Sequence, residues 1–356
     1  MRLADWSLHF YRLPYRREVV WANAVERAGL YALLKLVSDD GATGIAEGTL
    51  KDTWSGVSPK SLAAALEDIL VPRLKALDLA DDQAVHAAFA GIPENRMAKG
   101  MVESACWTMR AAAAGQPLWK LWGHSGSVAV AWTVTRQAPA LMAAESAEVC
   151  GRYGFRTLKV KGGQGVDTDL QALAEIRAAV GPGVELYVDA NSHYPRAEAA
   201  GYVAALAAAG VTVAEDPCRL QPDAHFEALQ AGSPIPILVD RSCASMEDAA
   251  LYLERGAQAL STKPGRVGLG ETRGIAARAA AKGAKTAVGI YAESALGTLI
   301  NLQQEGPMAA EQTFFLTHTA QVSAFVPEIC GGRIALPEEP DLARLVDWDA
   351  VRKSMI

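Results

Sequence analysis

Long apolar runs, basic clusters and leader-like segments are missing from this sequence. None of its 356 residues belongs to an uninterrupted apolar stretch of the roughly 18–20 residues that cross a bilayer, and the N-terminal residues lack the apolar run of a signal peptide. The net charge of −6 at pH 7, without any cluster of Lys or Arg, argues against a nucleic-acid surface. We therefore expect a cytoplasmic protein that contacts neither membranes nor nucleic acid.

Paired cysteines and compact catalytic motifs are also missing. The five cysteines are scattered without a Cys-x-x-Cys pair, a pattern typical of reduced core thiols in a cytosolic protein. The sequence contains no Gly-x-x-x-x-Gly-Lys phosphate loop, no Gly-x-Ser-x-Gly elbow and no His-Glu-x-x-His zinc motif. The sequence therefore offers no motif for phosphate binding by a P-loop, for a serine nucleophile on an elbow, or for a zinc site of the His-Glu-x-x-His type.

What the sequence does contain begins with an N-terminal region of strands followed by helices. Residues 30–37 and 43–48 predict two strands joined by a tight turn. Ser58-Pro59 predicts the start of a helix, and a second helix is predicted over 96–114. Strands and then helices, without alternation, are typical of a small α+β domain, which we assign to residues 1–125.

From residue 126 to 320, short β-rich runs alternate with Ala- and Leu-rich helical stretches. Glycines 22 to 29 residues apart follow one helical stretch after another, a spacing that suits one helix and one strand per repeat. Seven strands are predicted, at 128–135, 157–161, 185–191, 211–216, 235–240, 259–263 and 285–290. Such units favour a closed parallel barrel, with an open doubly wound sheet as the alternative. Residues 321–356 lack this rhythm and are expected to pack back on the N-terminal domain.

Charged and polar residues recur at the C-terminal ends of these predicted strands. They are Lys159 and Lys161, Asp189 and Asn191, Glu215 and Asp216, Asp240, and Lys263. A single Asp at a strand end is more often a helix cap, and a lone Lys-x-Lys is more often a solvated edge. Here, however, three acids and a lysine follow one another at intervals of 26, 25 and 23 residues. Because active sites of barrels form at this end, the pattern predicts one shared site.

The residue types predict metal-assisted proton transfer. Carboxylates of Asp189, Glu215 and Asp240 converging from three neighbouring strands would form an oxygen-rich site for a hard cation such as Mg²⁺. Lysines flank this set on both sides. A lysine becomes an effective base when its pKa falls, and we expect neighbouring cations and partial burial to lower the pKa of Lys161 and Lys159.

At these residues the sequence resembles the enolase superfamily, specifically its muconate-lactonizing-enzyme subgroup. The matching segments are TLKVKGG, YVDAN, AEDPC, VDRS and STKPGRVGLG, and the resemblance covers nearly the whole chain. It implies a modified TIM barrel, (β/α)7β, with an N-terminal α+β capping domain. It also implies Mg²⁺, with Mn²⁺ as a substitute, held by Asp189, Glu215 and Asp240. Sites of this superfamily use a lysine or histidine base, and the metal stabilises an enediolate.

The resemblance also implies roles for the lysines and the polar residues around them. Lys161 and Lys263 would act as acid or base on opposite faces of the substrate, and Lys159 would tune Lys161 and help bind the carboxylate. Asn191 would support the metal site. Glu293, after the seventh strand, matches a family glutamate often near the substrate.

Capping segments around 15–26 and 51–58 would close over the substrate and set specificity. Trp21 and Trp54 in these segments could wall the substrate pocket.

The sequence departs from the family pattern at three places. Arg241 follows Asp240 where the family usually has Glu, and Asp341-Leu342-Ala343 stands where Gly-Leu-Gly is common. The paired-aspartate signature of dipeptide epimerases is missing from residues 290–297 (IYAESALG). Dipeptide epimerisation is therefore disfavoured, and an anionic or amino-acid-like substrate that meets Arg241 is favoured. The alternative for Arg241 is a structural salt bridge to an acid such as Asp216.

The expected reaction removes the proton next to a carboxylate of a small molecule through an enediolate. Its outcome would be cycloisomerisation, racemisation or epimerisation. One alternative is a hydro-lyase that dehydrates a hydroxy acid or hydroxylated amino acid with the same site. The non-enzyme alternative, a catalytically silent structural homologue, would be expected to have lost at least one metal ligand or one of the two opposed lysines, and all five are present. A homo-oligomer is expected.

Overall fold

A computed structural model describes residues 1–20 and 25–356 of the chain. Trp21 and the middle of the predicted capping segment 15–26 therefore lie outside the described residues. No helix in the described ranges is long and apolar enough to cross a membrane.

The N-terminal domain contains a three-stranded antiparallel sheet. Strand β1 (Leu3–Val20) pairs with β2 (Val25–Ser38), and β2 pairs with β3 (Thr43–Thr49). The predictions of β2 and β3 are confirmed, although β2 begins earlier than expected. The sequence analysis missed β1, whose apolar residues are interrupted by charged residues and by Pro14, which an edge strand tolerates because its outer side needs no partner.

Six α-helices follow this sheet. They are α1 (Asp52–Ser55), α2 (Pro59–Ala64), α3 (Val71–Leu74), α4 (Asp82–Ala90), α5 (Arg96–Ala114) and α6 (Leu118–Leu121), with a π-helical turn (Ala65–Leu70) between α2 and α3. Helix α2 begins as predicted at Ser58, which forms a capping box with Ser61. Helix α5 has the predicted bounds, ends at Gly115 in the left-handed conformation and packs along β3.

The second region is a parallel barrel wrapped by helices. After a short strand β4 (Ser127–Ala129), the barrel strands are β5 (Trp132–Val134), β6 (Thr157–Lys161), β7 (Glu185–Asp189), β8 (Val213–Glu215), β9 (Ile237–Val239), β10 (Ala259–Thr262) and β11 (Lys285–Val288), adjacent in that order. The helices are α7 (Pro139–Tyr153), α8 (Val166–Val180), α9 (Ala199–Ala208), α10 (Ala224–Gly232), α11 (Met246–Glu254), α12 (Pro264–Val267), α13 (Leu269–Ala281) and α14 (Ala295–Asn301). The predicted strand 128–135 is thus two strands, and most of the others end earlier than expected.

Residues 308–311, which form a single bridge at Ala310, close the barrel in the place of an eighth strand. The amides of Met308 and Glu311 donate to carbonyls of β11, at 3.2 and 2.8 Å. On its other side Ala310 exchanges hydrogen bonds with residues 129 and 131, next to β5. The (β/α)7β fold is therefore confirmed. Sequence reasoning did not find this closing segment because the sequence MAAEQ is short and lacks β-branched residues.

The C-terminal residues contact both the barrel region, through β4, and the N-terminal domain. They form β12 (Ile329–Cys330), β13 (Arg333–Ala335) and α15 (Trp348–Ser354), and β13 pairs with β4. The Ile356 amide donates to the Phe10 carbonyl in β1 at 3.2 Å. Asp341, one of the departures from the family pattern, accepts a hydrogen bond from the Thr43 hydroxyl at 2.7 Å and so joins the tail to β3.

Candidate active site

The charged side chains at the strand ends meet directly above the packed interior of the barrel. A buried apolar cluster fills the barrel and includes Tyr187, Val213, Leu238 and Ala259, one from each of four neighbouring strands. Side chains alternate along a strand, so the residues two or four positions further along also point inward. These are Asp189, Glu215, Asp240 and Lys263. Four of the predicted site residues therefore lie together directly above the packed core.

Lys159 lies at the floor of this site with only 1% of its surface exposed. Its Nζ is 3.0 Å from Asp189, 2.7 Å from Glu215 and 2.8 Å from Glu311. Burial alone would lower the pKa of Lys159, but these three carboxylates outweigh it and raise this pKa well above its ordinary value. The expectation of a lowered pKa is thus wrong for Lys159, whose protonated form is favoured by its three acidic neighbours.

Glu311 is a member of the site that the sequence analysis missed. It lies in the closing segment, and besides Lys159 it accepts a hydrogen bond from the Tyr187 hydroxyl at 2.9 Å. Together these contacts join the closing segment to β6 and β7. A lone acid between small and polar residues is the only signal that the sequence offered.

Lys161 forms the side of the site on β6. Its Nζ is 2.6 Å from Asp189 Oδ2, while its side chain is still 21% exposed and accessible from the barrel mouth. Asn191 holds the same carboxylate through its backbone amide (2.8 Å) and its side-chain amide (2.9 Å). Burial would raise the pKa of Asp189, but the ammonium groups of Lys159 and Lys161 hold it well below its usual range. Asp189 is therefore ionised.

Lys263 forms the opposite side, just after β10. Its Nζ is 2.6 Å from Asp240 Oδ2. Burial would lower the pKa of Lys263, but the adjacent Asp240 carboxylate outweighs it and the pKa is raised. The direct neighbour of Lys263 is thus an anion, which favours the protonated lysine.

Asp216 and Arg241 occupy the turn beside Asp240. Asp216 accepts hydrogen bonds from the backbone amides of Asp240 (3.2 Å) and Arg241 (2.9 Å). Burial, with the nearby charges of Asp240 and Asp189, raises the pKa of Asp216 to about 7. The Arg241 residue is exposed, and across the described part of the chain its guanidinium forms no salt bridge. The predicted salt bridge to Asp216 is therefore absent, and only the backbone of Arg241 contacts that carboxylate.

Glu293 and Trp54 lie where the capping domain meets the barrel mouth. Glu293 is 3% exposed and accepts hydrogen bonds from the Tyr291 amide and the Asn301 side chain, both within 2.9 Å. Burial raises the pKa of Glu293 to about 7. Trp54, from the predicted capping segment 51–58, packs edge-on against the Tyr291 ring with centroids 5.3 Å apart. The capping segment is thus in contact with the loop that carries Glu293.

The donor set suits a hard divalent cation. Asp189, Glu215 and Asp240 supply only oxygens, the ligands that Mg²⁺ and Mn²⁺ prefer. Lys159 lies 2.7 Å from both oxygens of Glu215 but is aligned for a hydrogen bond only with Oε1. Glu215 Oε2 and Asp240 Oδ1 are buried and accept no aligned hydrogen bond from residues 1–20 or 25–356, although Glu215 Oε2 has its ionic contact with Lys159. Such oxygens keep lone pairs for a cation.

The carboxylates are not gathered as a ready-made metal site. In the described ranges no three His, Cys, Asp or Glu side chains meet in a metal-ligating arrangement. Each of the three carboxylates instead contacts a lysine. Cation binding would therefore require the Lys161–Asp189 and Lys263–Asp240 pairs to loosen.

Comparisons with known proteins give consistent results. A family model described as the mandelate racemase / muconate lactonizing enzyme N-terminal domain matches residues 13–123, and one described as enolase C-terminal domain-like matches residues 141–350. An o-succinylbenzoate synthase of Geobacillus stearothermophilus is 30% identical, with 95% of this chain and 88% of the relative covered. Muconate cycloisomerase 1-2 of Acinetobacter lwoffii is 27% identical, with 95% and 90% covered. The structure of a substrate-liganded L-Ala-D/L-Glu epimerase from Bacillus subtilis superposes with a TM-score of 0.87 at 26% identity, covering 96% of this chain and 98% of that one.

Proposed function

The chain belongs to the mandelate racemase / muconate lactonizing enzyme family of the enolase superfamily, and from that premise we propose that it abstracts the proton next to a carboxylate of a small molecule. One observation carries the proposal. Lys161 on β6 and Lys263 after β10 flank β7, β8 and β9, whose ends carry Asp189, Glu215 and Asp240. A substrate carboxylate held above the three acids would place its α-carbon between two lysines.

The chemistry follows from this placement. One lysine, once neutral, accepts the α-proton, and the electron pair of the broken C–H bond spreads into the carboxylate to give an enediolate. Asp189, Glu215 and Asp240 would hold Mg²⁺ or Mn²⁺, which when bound supplies the positive charge that stabilises the second negative charge of this enediolate and offsets the anions that raise the pKa of Lys263. Lys159 stays protonated beneath the site and fixes Asp189 and Glu215. Asn191 keeps Asp189 oriented through its two hydrogen bonds.

We propose racemisation, epimerisation or cycloisomerisation as the outcome. Reprotonation by the opposite lysine inverts the α-carbon, whereas ring opening or closure uses a single proton transfer. The relative named o-succinylbenzoate synthase, a lyase, favours a second candidate, in which the enediolate expels a β-leaving group. Both outcomes share the first proton transfer. The expected homo-oligomeric state and cytoplasmic location stay predictions.

Proton exchange tests the shared step directly. The protein is incubated in D₂O with Mg²⁺ and a panel containing both enantiomers of mandelate, both enantiomers of several N-succinylamino acids, the two epimers of L-Ala-Glu, and muconolactone. We expect deuterium at the α-carbon, or next to the carboxylate of muconolactone, of at least one probe, measured by NMR. The Lys161→Ala/Lys263→Ala double variant is the control, because it keeps all three carboxylates but has neither base. Exchange that is equally fast in the double variant would contradict the proposal.

Arg241 is proposed to select substrates with a second anionic group. Arg241 is an exposed residue that directly follows Asp240, and the planar guanidinium of an arginine is geometrically suited to a carboxylate. Replacing Arg241 by Glu, the usual family residue, is expected to lower kcat/KM for dicarboxylate relative to monocarboxylate substrates by tenfold or more, about 1.4 kcal/mol.

The ratio of the two kcat/KM values and the melting temperature are measured together for this variant. Arg219→Glu is the matched control, because Arg219 is also an exposed arginine in a barrel loop. An unchanged ratio with a lower melting temperature would mean that Arg241 is structural.

A further inference from the structure

Asp169 in α8 is a buried carboxylate that the proposed mechanism does not use. It is 4% exposed, and its two oxygens accept four hydrogen bonds. Oδ2 accepts from the Gly163 amide (2.8 Å) and from the hydroxyls of Tyr194 (2.7 Å) and Tyr202 (2.8 Å). Oδ1 accepts from the Gln164 amide at 3.1 Å. A buried acid with this many donors is held in one position, because the loss of any one hydrogen bond would leave a buried polar group unpaired.

Three of the four donors belong to the two loops that carry the Lys161 side of the site, and the fourth, Tyr202, lies in α9. Gly163 and Gln164 directly follow Lys161 and Gly162, whereas Tyr194 is three residues beyond Asn191. The residues of these loops pack closely against one another. A side chain at Gly162 would place its Cβ 2.6 Å from the Tyr202 hydroxyl and 2.9 Å from Asp169 Oδ2. Asp169 therefore sets the spacing between the end of β6 and the end of β7.

Arg136 holds the same two loops at a second point. It follows β5, and its Nε donates to the Gly162 carbonyl at 2.6 Å. Its Nη2 donates to Asn191 Oδ1 at 3.1 Å, and Asn191 in turn holds Asp189. Asp169 and Arg136 thus both contact the backbone just after Lys161 and residues that follow Asp189. The side chains of Lys161 and Asp189 are themselves 2.6 Å apart.

The Lys263 side is held by different groups. Asp216 and Arg266 bind the backbone at Asp240, through the Asp240 amide at 3.2 Å and the Asp240 carbonyl at 3.2 Å respectively. The hydrogen-bond partners of Asp169 all lie within residues 163–202. The side-chain supports of the two halves therefore differ, although the Ser192 amide in the loop after β7 donates to the Asp216 carbonyl at 2.7 Å.

We propose that Asp169 is a positioning residue for Lys161 and not for Lys263. Its catalytic meaning rests on the proposed function, but the positioning itself does not. In Asp169→Asn the amide keeps the size of the carboxylate while one oxygen becomes an NH₂ group, which cannot accept the hydrogen bonds made to that atom. The loop after β6 should then shift, and Lys161 should lose its tight contact with Asp189.

Lysine labelling tests this inference without a substrate. The folded protein is trace-acetylated with acetic anhydride, and the labelling of Lys161 and Lys263 is quantified by peptide mass spectrometry. We expect Asp169→Asn to raise the Lys161/Lys263 labelling ratio at least threefold. Tyr202→Phe, which removes one donor and leaves the carboxylate in place, should raise it less, and it keeps the test open if Asp169→Asn does not fold. An unchanged ratio in both variants, or equal increases at both lysines, would overturn the proposal.

Asp248→Asn is the matched control for a general loss of stability. Asp248 also fixes a barrel loop, since it accepts hydrogen bonds from the Ala244 amide at 3.1 Å and the Ser245 hydroxyl at 2.8 Å. This loop follows β9 on the Lys263 side, so Asp248→Asn should lower the melting temperature without raising the Lys161/Lys263 ratio. A raised ratio in Asp248→Asn would mean that the labelling reports stability alone and would overturn the proposal.

α-Proton exchange then shows whether the positioning affects catalysis. For a probe whose two enantiomers both exchange in the wild type, Asp169→Asn should slow exchange of the Lys161-dependent enantiomer at least tenfold more than exchange of the other. Equal slowing of both would contradict a role confined to Lys161. If the wild type exchanges no probe, the proposed function fails, while the labelling ratio still decides the positioning inference.

Discussion

Replacing either Lys161 or Lys263 by Ala is expected to lower turnover by roughly 10²- to 10⁴-fold, the usual contribution of a general acid or base. The two lysines approach the carboxylate set from strands on opposite sides, and each is 2.6 Å from the acid that it contacts. An inverting reaction needs both, because one removes the proton and the other returns it on the opposite face. Turnover of a racemisable substrate, measured by polarimetry, should therefore fail in both single variants.

The same variants should nevertheless differ in proton exchange. Lys263→Ala should retain exchange for the enantiomer whose α-proton faces Lys161, and Lys161→Ala should show the reverse pattern. Lys285→Ala is the control, since Lys285 is exposed at the start of β11, at the opposite end of the barrel. If neither single variant retained exchange on either enantiomer, two lysines on opposite faces would no longer explain the site.

Removing divalent cations is expected to abolish activity while leaving the protein folded. Asp189, Glu215 and Asp240 would otherwise repel one another, and on sequence grounds alone chelation is expected to lower the melting temperature. The structure keeps the expected decrease small, because Lys159, Lys161 and Lys263 contact these carboxylates and balance their charge. Binding linkage sets the stabilisation at about 2.7 kcal/mol when the free cation is at 100 times its Kd.

The measurement is a melting curve and an activity assay after extensive treatment with EDTA, followed by addition of Mg²⁺ or Mn²⁺. Activity should fall to background and return with either ion, and the melting temperature should rise by a few degrees on addition. Asp240→Asn should weaken this response, whereas Glu185→Gln, at the exposed start of β7, should not. Full activity in extensively chelated protein would contradict the assignment of the three ligands.

The sequence by itself was enough to predict the barrel and most of the charged residues at its mouth. The reason is that the sequence signals for these features are local and repeat along the chain. Each βα unit has its own periodicity and its own helix end, and the carboxyl ends of parallel strands must meet at one edge once the sheet closes. The spacing of Asp189, Glu215, Asp240 and Lys263 is therefore sufficient to group them. The bounds of α5 and the Ser58 cap were equally local, because helix ends depend on a few neighbouring residues.

Only the tertiary structure decided the contacts between distant residues, and with them the charge states. Glu311 lies 152 residues from Lys159, and nothing near either residue indicates that they meet. Together with Asp189 and Glu215, that contact reverses the expected direction of the pKa of Lys159. Strand β1 is extended because it pairs with β2. Asp169 is held in place because the fold brings Tyr194 and Tyr202 to it from another βα unit. A pKa or a supporting contact depends on what lies within a few ångströms in space, and in a closed barrel those neighbours come from the whole length of the chain.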